Sequence, residues 1–459
     1  MSNPTHLFAT LLLFIAGASS LVASDWPGFR GAHNGASEDK NLPVKWNSET
    51  LLWKIKLPGA GTSSPIITGD KLIVTCNAGY GTTITKGMSG GFGGGKGKGG
   101  KGGFGKGGDA GDQSKLQLLV MCIDRNKADI LWKKDIKPKL PETPFSGMMR
   151  EHSYASSTPV TDGKNIYAFF GKSGVYAFDL DGKELWSASV GTEKHMWGSA
   201  ASPVLYKDLV IVNAAIESKS LVALDKKTGK EVWRQRGMGT TWASPILVET
   251  KDGKHEVVIN VPGKIAGYDP QTGKELWHCQ GVVGGSKGGG GGGGFGGGSY
   301  TASTPVARDG IVYVIGGGGP TPTAAMAIKT GGRGDVSKTH VLWKSKAGAC
   351  NCSPVLAGDF LYWVDGTITC LNIADGKTVY KERLYGGKNE YVSAVAAGDK
   401  IYALTRFDGL FVVSAGNNFE QLAHNNFKGD TSIFNASPAI SDGRIYLRSN
   451  EYLYCIGKK

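Results

Sequence analysis

The residues best suited to chemistry in this sequence lie in short stretches that mix carboxylates, imidazoles, thiols and aromatic rings. Glu151 and His152 adjoin each other, and Glu390 lies in a similar stretch. Cys350 and Cys352 are separated by one residue, a spacing open to three interpretations: two buried thiols, a redox-active pair or a soft-metal site. Because carboxylates can accept protons and aromatic rings can support flat ligands, these stretches are candidates for a binding or catalytic site.

Two segments match known catalytic or cofactor-binding motifs but lack the strand and helix that those motifs require. Residues 87–91 match the nucleophile-elbow pattern and residues 97–102 match a dinucleotide-binding loop. Both lie in a glycine- and lysine-rich insert without a flanking strand and helix, so we interpret them as chance matches. The sequence contains no P-loop, no His-Glu-x-x-His motif and no Cys-x-x-Cys-His haem site.

The candidate stretches recur at the start of repeated units, and these units are the elements that position them. One unit contains a Ser-Pro or Thr-Pro strand start, a turn, two alternating strands ending in Asp, a Gly-Lys-Glu turn and a Trp-bearing strand. The clearest copy runs from Ser202 to Trp233. Three copies place the Asp eight residues before the Trp and a fourth places it seven before. A nearly constant offset indicates one turn geometry, after which the chain returns as an antiparallel strand.

The number of units predicts an all-β fold, an eight-bladed β-propeller of four-stranded antiparallel blades. The last unit begins at Ser437 and lacks its Trp strand, whereas Leu51–Ile55 has that pattern without a preceding unit. We therefore expect the N-terminal strand to complete the last blade and close the ring, which removes the sheet edges. The tryptophans that recur once per unit are expected to pack between neighbouring blades. They are Trp53, Trp132, Trp186, Trp233, Trp277 and Trp343.

The long connections fall mainly on one face of the predicted ring. If the strands of a blade run A to D outward from the channel, the B–C and D–A connections share a face. The B–C connections 79–115 and 316–323 and the D–A connections 137–154 and 281–299 lie there, whereas the long C–D turn 329–339 does not. Loops around a channel mouth commonly bind ligands. The strand starts there form either a ligand funnel or a polar, water-filled lining, with His152, Trp197, Trp242, Tyr300, Asn351 and Asn435 as candidate ligand contacts.

The turn signature carries a resemblance to a known superfamily. Asp-x-x-Thr-Gly-Lys-Glu-x-Trp, found at Asp225–Trp233 and Asp269–Trp277, resembles the quinoprotein (PQQ) repeat. The segment Asp25–Gly31 is similar to the lead-in of secreted bacterial PQQ-like propellers, and the resemblance covers about residues 25–457. It implies the propeller fold. The superfamily includes quinoprotein dehydrogenases and the outer-membrane assembly scaffold BamB, so the resemblance leaves activity open.

For the dehydrogenases, the resemblance implies PQQ on a Trp platform under a vicinal disulfide, with Ca²⁺ held by Glu and Asn near a catalytic Asp. It would make Trp242 the platform, Asn351 or Asn435 an oxygen ligand, and Glu151 or Glu390 the carboxylate. The sequence departs from this pattern because Asn351 separates the two cysteines and no Asp stands at a strand start. A non-catalytic binding or scaffold module of the bacterial envelope is therefore favoured. A PQQ- and Ca²⁺-dependent alcohol or sugar dehydrogenase is the alternative.

The N-terminus predicts export. Residues 1–24 carry no charged side chain and contain an apolar run over residues 7–16 followed by small residues, which is typical of a secretory signal peptide cut before Asp25. No later apolar stretch reaches the length of a membrane span. We expect residues 25–459 to form one propeller domain, monomeric and without a transmembrane segment, in the periplasm or elsewhere in the cell envelope.

Two inserts account for the unusual composition. Residues 86–111 contain fifteen glycines, five lysines and one acidic residue, and residues 284–298 contain twelve glycines. Such segments cannot bury a core. The first contributes to the net charge of +13, so it is either a solvated insert without a partner or a contact for envelope proteins, anionic glycan or anionic lipid. No nucleic-acid partner is expected, because no basic strand carries interleaved aromatic residues.

Overall fold

The chain folds into a ring of β-sheets. A computed structural model describes residues 25–84, 111–281, 300–318, 321–349, 351–386, 390–427 and 429–458. The predicted signal peptide, Cys350 and the two glycine-rich inserts, apart from Gly111, lie outside the described residues. Within those residues, eight sheets each contain four antiparallel strands, so the predicted eight-bladed β-propeller is confirmed.

The strands in chain order are β1 (Ala36–Ser37), β2 (Leu51–Lys56), β3 (Ile66–Thr68), β4 (Lys71–Ala78), β5 (Gln117–Asp124), β6 (Ile130–Ile136), β7 (Val160–Thr161), β8 (Asn165–Phe169), β9 (Val175–Asp179), β10 (Glu184–Ala188), β11 (Val204–Tyr206), β12 (Leu209–Ala214), β13 (Ser220–Asp225), β14 (Glu231–Arg236), β15 (Ile246–Glu249), β16 (His255–Val261), β17 (Lys264–Tyr268), β18 (Glu275–Gln280), β19 (Val306–Arg308), β20 (Ile311–Gly318), β21 (Thr321–Lys329), β22 (Gly334–Asp335), β23 (Val341–Ser345), β24 (Val355–Ala357), β25 (Phe360–Val364), β26 (Thr367–Asn372), β27 (Thr378–Arg383), β28 (Val395–Ala397), β29 (Lys400–Leu404), β30 (Leu410–Ser414), β31 (Gln421–Asn425), β32 (Ala439–Ser441), β33 (Arg444–Arg448) and β34 (Tyr452–Ile456). The helices are short: α1 (Ala215–Ser218) and 3₁₀ turns at Gln113–Lys115, Gly147–Glu151 and Gly171–Ser173.

Blades 1 to 8, numbered along the chain, are β3–β6, β7–β10, β11–β14, β15–β18, β19–β21 with β23, β24–β27, β28–β31, and β32–β34 with β2. The last blade joins the two ends of the chain. Its outer strand β2 pairs antiparallel with β34, and Trp53 lies opposite Cys455. The predicted closure by the N-terminal strand is therefore confirmed.

A closed circle of hydrogen bonds holds the innermost strands together. Within the described residues, the Ser or Thr that starts each blade donates its main-chain N–H to the hydroxyl oxygen of its counterpart on the next blade, at 2.8–3.0 Å. All eight side chains are buried, which makes each bond costly to lose. Ser393, followed by alanine rather than proline, keeps its place in the circle. The members are Ser64, Thr158, Ser202, Ser244, Thr304, Ser353, Ser393 and Ser437.

The repeated tryptophans connect neighbouring blades at the outer edge. Of the six, five in the described part of the chain donate their indole N–H to a main-chain carbonyl of the next blade, at 2.7–3.1 Å. A turn glycine of that blade packs against the ring in four cases, at Gly182, Gly229, Gly273 and Gly376. The donor and acceptor pairs are Trp53 and Arg125, Trp132 and Leu180, Trp186 and Lys226, Trp233 and Pro270, and Trp343 and Ile373.

Trp277 departs from this pattern because the next blade has a longer C–D connection. Its indole N–H donates to Glu256 on its own blade, at 2.7 Å. The C–D connection of blade 5 instead contributes β22, which pairs in parallel with β18 of blade 4. The B–C connection of blade 5 lies within the predicted range 316–323 but is shorter, since β20 continues to Gly318 and β21 begins at Thr321.

The N-terminal segment before β2 lies across the central channel. Trp26 exchanges main-chain hydrogen bonds with Ile67 of blade 1, and β1 pairs in parallel with the innermost strand β28 of blade 7. Asn34 reaches Ala307 on blade 5. Because blades 1 and 5 stand on opposite sides of the ring, residues 25–37 form a plug across its centre. The Asp25 carboxylate accepts a hydrogen bond from the main-chain N–H of Gly69 in an A–B turn. The plug therefore lies at the channel end opposite the face that carries the long B–C and D–A connections, called the decorated face below.

No helix in the described stretches combines the length and the apolar character needed to cross a bilayer.

Candidate functional site

An aromatic cluster occupies one side of the channel mouth. Trp197 enters it from the connection between blades 2 and 3, Trp242 from the next connection, and Tyr300 from the one after that. The two indoles lie 5.1 Å apart at 36°, and Tyr300 meets them edge-on at 4.8 and 5.9 Å. His195 packs edge-on against both indoles. These half-buried rings form one contiguous surface able to stack against a flat or apolar group.

Main-chain contacts hold this aromatic cluster in place. The indole N–H of Trp242 donates to the carbonyl of Gly198, at 2.8 Å. Gly198 has a φ of +62°, and a Cβ there would contact Met149. The indole nitrogen of Trp197 is buried and has no hydrogen-bond partner among the described residues. That nitrogen is a donor that a ligand or an ordered water could satisfy.

His152 lies between the aromatic cluster and a second group of side chains at the mouth, Glu151, Tyr391, Arg406 and Asn435, called the polar half below. Its Nδ1 lies 2.9 Å from the Ser156 hydroxyl. Burial, aided by the nearby Arg406 charge, lowers the pKa of His152 to about 4, although hydrogen bonds to the Trp197 and Ser153 main chain oppose this shift. The imidazole is therefore neutral at physiological pH and can exchange hydrogen bonds without carrying charge.

Arg406 is the centre of the polar half. It lies in the short B–C turn between β29 and β30 of blade 7 and is 2% exposed. Its Nε donates to Asn435 Oδ1 at 2.8 Å, and its Nη1 lies 3.5 Å from Glu151 Oε2. Tyr391 donates its hydroxyl to the same Glu151 oxygen at 2.9 Å, and its ring lies under the guanidinium at 4.6 Å. One cation thus contacts residues from three connections, those between blades 1 and 2, 6 and 7, and 7 and 8.

Glu151 and Asn435, from the two connections on either side of blades 8 and 1, also contact each other. Glu151 ends the 3₁₀ turn Gly147–Glu151 between blades 1 and 2, and its main-chain carbonyl accepts from Asn435 Nδ2 at 2.5 Å. Asn435 precedes the innermost strand of blade 8 and is 8% exposed. The amide therefore contacts both the acidic residue and the cation.

A second carboxylate, Glu390, binds the main chain of the turn that contains Arg406. It accepts hydrogen bonds from the Tyr385 hydroxyl and, at 2.9 Å, from the Arg406 main-chain N–H. Burial raises the pKa of Glu390 to about 7, because its hydrogen bonds and the Arg406 charge only partly offset desolvation. At 2% exposure Glu390 helps to shape the turn and is not open to solvent.

The sequence comparison decides the family. A family model described as outer membrane protein assembly factor BamB matches residues 118–382, which is more than half of the chain. The chain belongs to this family. It is thereby part of the PQQ-repeat, quinoprotein-like superfamily.

Solved structures similar to this BamB-family chain share its fold. BamB from Moraxella catarrhalis is 14% identical with a TM-score of 0.56, and the alignment covers 89% of this chain and 98% of that one. The quinohemoprotein alcohol dehydrogenase from Comamonas testosteroni is 12% identical with a TM-score of 0.56, over 95% of this chain and 81% of the other. At these identities the likeness extends to the fold alone.

The curated relatives match over a short stretch. The quinohemoprotein alcohol dehydrogenase ADH-IIG of Pseudomonas putida is 27% identical over 144 residues, 28% of this chain and 20% of the relative. The quinoprotein ethanol dehydrogenase of Pseudomonas aeruginosa is 30% identical over 154 residues, 28% of this chain and 23% of the relative. The chain thus spans about a quarter or less of the length of these relatives.

The structure brings together most of the residues suggested by the strand-start pattern. Trp197, Trp242 and Tyr300 form the aromatic cluster, and His152 adjoins it. Glu151 and Asn435 meet at Arg406, and Glu390 supports that turn. Among the described residues, no hydrogen bond or ring contact joins the half-buried Asn351 to either group. Arg406 was not predicted, because it lies in a B–C turn rather than at a strand start.

The polar half does not fit a Ca²⁺ ion. Ca²⁺ requires carboxylate and carbonyl oxygens that are free to coordinate it. The Glu151 carboxylate and the Asn435 amide oxygen both face the Arg406 guanidinium, which supplies the positive charge at this position. The described residues also contain no group of three or more His, Cys, Asp or Glu side chains arranged to hold a metal.

A further buried carboxyl, Glu217, lies beside the decorated face in α1. The Ser199 hydroxyl donates to its Oε1, whereas its Oε2 is buried with no hydrogen-bond partner in the described part of the chain. Burial raises the pKa of Glu217 to about 7, and the nearby Glu142 adds to the rise. Burial likewise raises the pKa of Glu142, which lines the adjoining cleft with His195.

Proposed function

We propose that this protein is an exported, non-catalytic propeller of the bacterial envelope that binds partners through the face carrying its long connections. The single observation that carries this proposal is the position of Arg406. Its guanidinium faces the Glu151 carboxylate and the Asn435 amide oxygen, two of the groups that the dehydrogenase alternative would need as Ca²⁺ ligands or as the catalytic carboxylate. A second cation at the same oxygens would be repelled by the first.

The family supports the scaffold part of the proposal. The family description and one similar structure name BamB, an assembly factor of the outer membrane. We extend an envelope location to this chain, with residues 1–24 as the signal peptide and residues 25–459 as one propeller domain. The lysine-rich insert over 86–111 adds positive charge that suits acidic partner proteins, anionic glycan or anionic lipid.

The alternative is a PQQ-dependent alcohol or sugar dehydrogenase, and the aromatic cluster is the observation that favours it. Trp242 and Trp197 offer the flat surface that such a cofactor would need. In this alternative Glu151 or Glu390 would act as the carboxylate. Glu390, however, is 2% exposed and Glu151 is paired with Arg406, so neither is free to accept a substrate proton.

A cofactor titration tests the proposal. The purified mature protein is titrated with PQQ in the presence and absence of Ca²⁺, and heat release, melting temperature and dye-linked oxidation of an alcohol and sugar panel are measured. We expect no Ca²⁺-dependent binding, no rise in melting temperature and no turnover.

Trp242→Ala provides the decisive variant, and Trp46→Ala is its control. Trp46 is half-buried and packs on Phe427, away from the aromatic cluster. Turnover in the wild-type protein that disappears in Trp242→Ala but survives in Trp46→Ala would establish the dehydrogenase and overturn the scaffold proposal.

A further inference from the structure

The guanidinium of Arg406 retains unused binding capacity. Its side chain is 3% exposed, yet its Nη2 is buried and has no hydrogen-bond partner among the described residues. The rings of Tyr391 and Phe407 lie near it at 4.6 and 4.9 Å. A buried guanidinium with an unused donor favours a planar, doubly hydrogen-bonded anion such as a carboxylate.

Glu151 occupies this position incompletely. It contacts Arg406 through Oε2 alone at 3.5 Å, well beyond the roughly 2.7–2.9 Å of a strong charged hydrogen bond. Its side chain is 15% exposed whereas that of Arg406 is 3% exposed, so Glu151 lies on the solvent side of the guanidinium. It comes from a separate connection, the one between blades 1 and 2. A carboxylate from outside could therefore replace it without disturbing the turn that holds Arg406.

The surroundings indicate what would accompany the incoming carboxylate. Arg406 lies close enough to His152 to lower its pKa, and His152 in turn adjoins the Trp197 main chain and the aromatic cluster. Phe407 is 39% exposed and Met196 is 55% exposed at the same mouth. An aromatic or large apolar group attached to the carboxylate would thus find apolar contacts beside the cation.

We infer that Arg406 and Tyr391 form a binding site for a carboxylate of an acidic protein segment, and that Glu151 is an internal occupant which this carboxylate displaces. The inference rests on the proposed function, because it names the kind of partner that the decorated face would bind. The occupant is a protein segment in which a carboxylate neighbours an aromatic or large apolar side chain. Glu151 lowers the affinity of the resting protein for such segments.

Two small probes isolate the carboxylate. N-acetylphenylalanine carries one carboxylate beside an aromatic ring, and N-acetylphenylalaninamide is the same molecule without the charge. Calorimetric titration of the full mature protein measures both. We expect Glu151→Gln to bind N-acetylphenylalanine about tenfold more tightly than the wild-type protein, while binding of the amide remains unchanged and weak.

Variants at the cation test the same site from the other side. Adding Arg406→Gln to Glu151→Gln should abolish the gain. Tyr391→Phe removes only a hydroxyl and keeps the ring under the guanidinium, so it should fold even where Arg406→Gln does not. In the Glu151→Gln background it should weaken N-acetylphenylalanine binding several-fold, because the carboxylate loses one of its two donors.

Equal binding of the acid and the amide, or equal affinity in wild-type and Glu151→Gln proteins, would overturn the inference. The PQQ and Ca²⁺ titrations report on the proposed function through a different ligand and through turnover. A failure of this inference with no PQQ turnover leaves the scaffold proposal standing, whereas PQQ turnover removes both.

Discussion

Replacing Gly229 with alanine tests the contact between neighbouring blades at their outer edge. Gly229 has a φ of +70° and lies against Trp186, whose indole N–H donates to Lys226 in the same turn at 2.8 Å. Gly253 is the matched control, because its φ is +76° and a Cβ there would meet nothing within 4 Å. Both substitutions place alanine in the left-handed region, but only one adds a steric conflict.

The expected losses follow from these distances. An L-residue at such a positive φ costs about 1–2 kcal/mol, and this is the whole effect expected for Gly253→Ala. At Gly229 the new Cβ would lie 2.5 Å from Cε3 and 2.6 Å from Cδ2 of Trp186. Overpacking of this kind adds about 1–3 kcal/mol, so Gly229→Ala should lose about 2–5 kcal/mol in total.

Urea unfolding followed by tryptophan fluorescence and circular dichroism measures both variants. The free energies of unfolding are compared after fitting both variants with the same slope of free energy against urea concentration. Equal losses in Gly229→Ala and Gly253→Ala would show that Trp186 moves aside without cost. That result would refute the view that the turn glycines and tryptophans fix the spacing of the blades.

Two further predictions concern stability. Ser202→Ala leaves the buried main-chain N–H of Thr158 without an acceptor and should lower the free energy of unfolding by about 1–3 kcal/mol, whereas replacing the exposed Ser187 of β10 with alanine should be neutral in the same urea assay. Glu217 has a raised pKa of about 7, so the folded state holds its proton more tightly than the unfolded state. Its contribution is complete below the ordinary Glu pKa and is lost as pH rises through about 7, amounting to at most about 3 kcal/mol. The stability difference between the wild-type protein and Glu217→Gln should therefore change between pH 5 and 8; a constant difference contradicts the assignment.

The fold could be predicted because its determinants are local and repeat. The Asp-to-Trp offset fixes the outer hairpin within one unit, and eight copies define the ring without knowledge of any long-range contact. The unmatched Trp53 strand then required a partner at the other end of the chain. Trp277 shows the limit of this reasoning. Its indole N–H donates to Glu256 of its own blade, because the next blade has a longer C–D connection.

The candidate site was predicted less completely because its contacts link distant connections. Aromatic residues at successive strand starts must converge on the channel, which is why Trp197, Trp242 and Tyr300 meet. The one sequence signal for Arg406 was its position as a charged residue in a very short B–C turn at the channel mouth. The plug could not be predicted, because Asn34 and β1 bind blades 5 and 7, far away in sequence, and residues 25–37 carry no repeat.

The joining of both chain ends in blade 8 has a consequence for the order in which the molecule can be completed. Residues 25–56 leave the ribosome before the rest of the propeller, yet their partners include β28 and β34, several hundred residues later in the chain. Strands β1 and β2 must therefore wait for these partners until almost the whole chain is available, and such distant pairing is slow. Loss of β34, Tyr452–Ile456, would release the outer strand β2 from its pairing, so a variant truncated before Tyr452 should expose residues 51–56 to proteases.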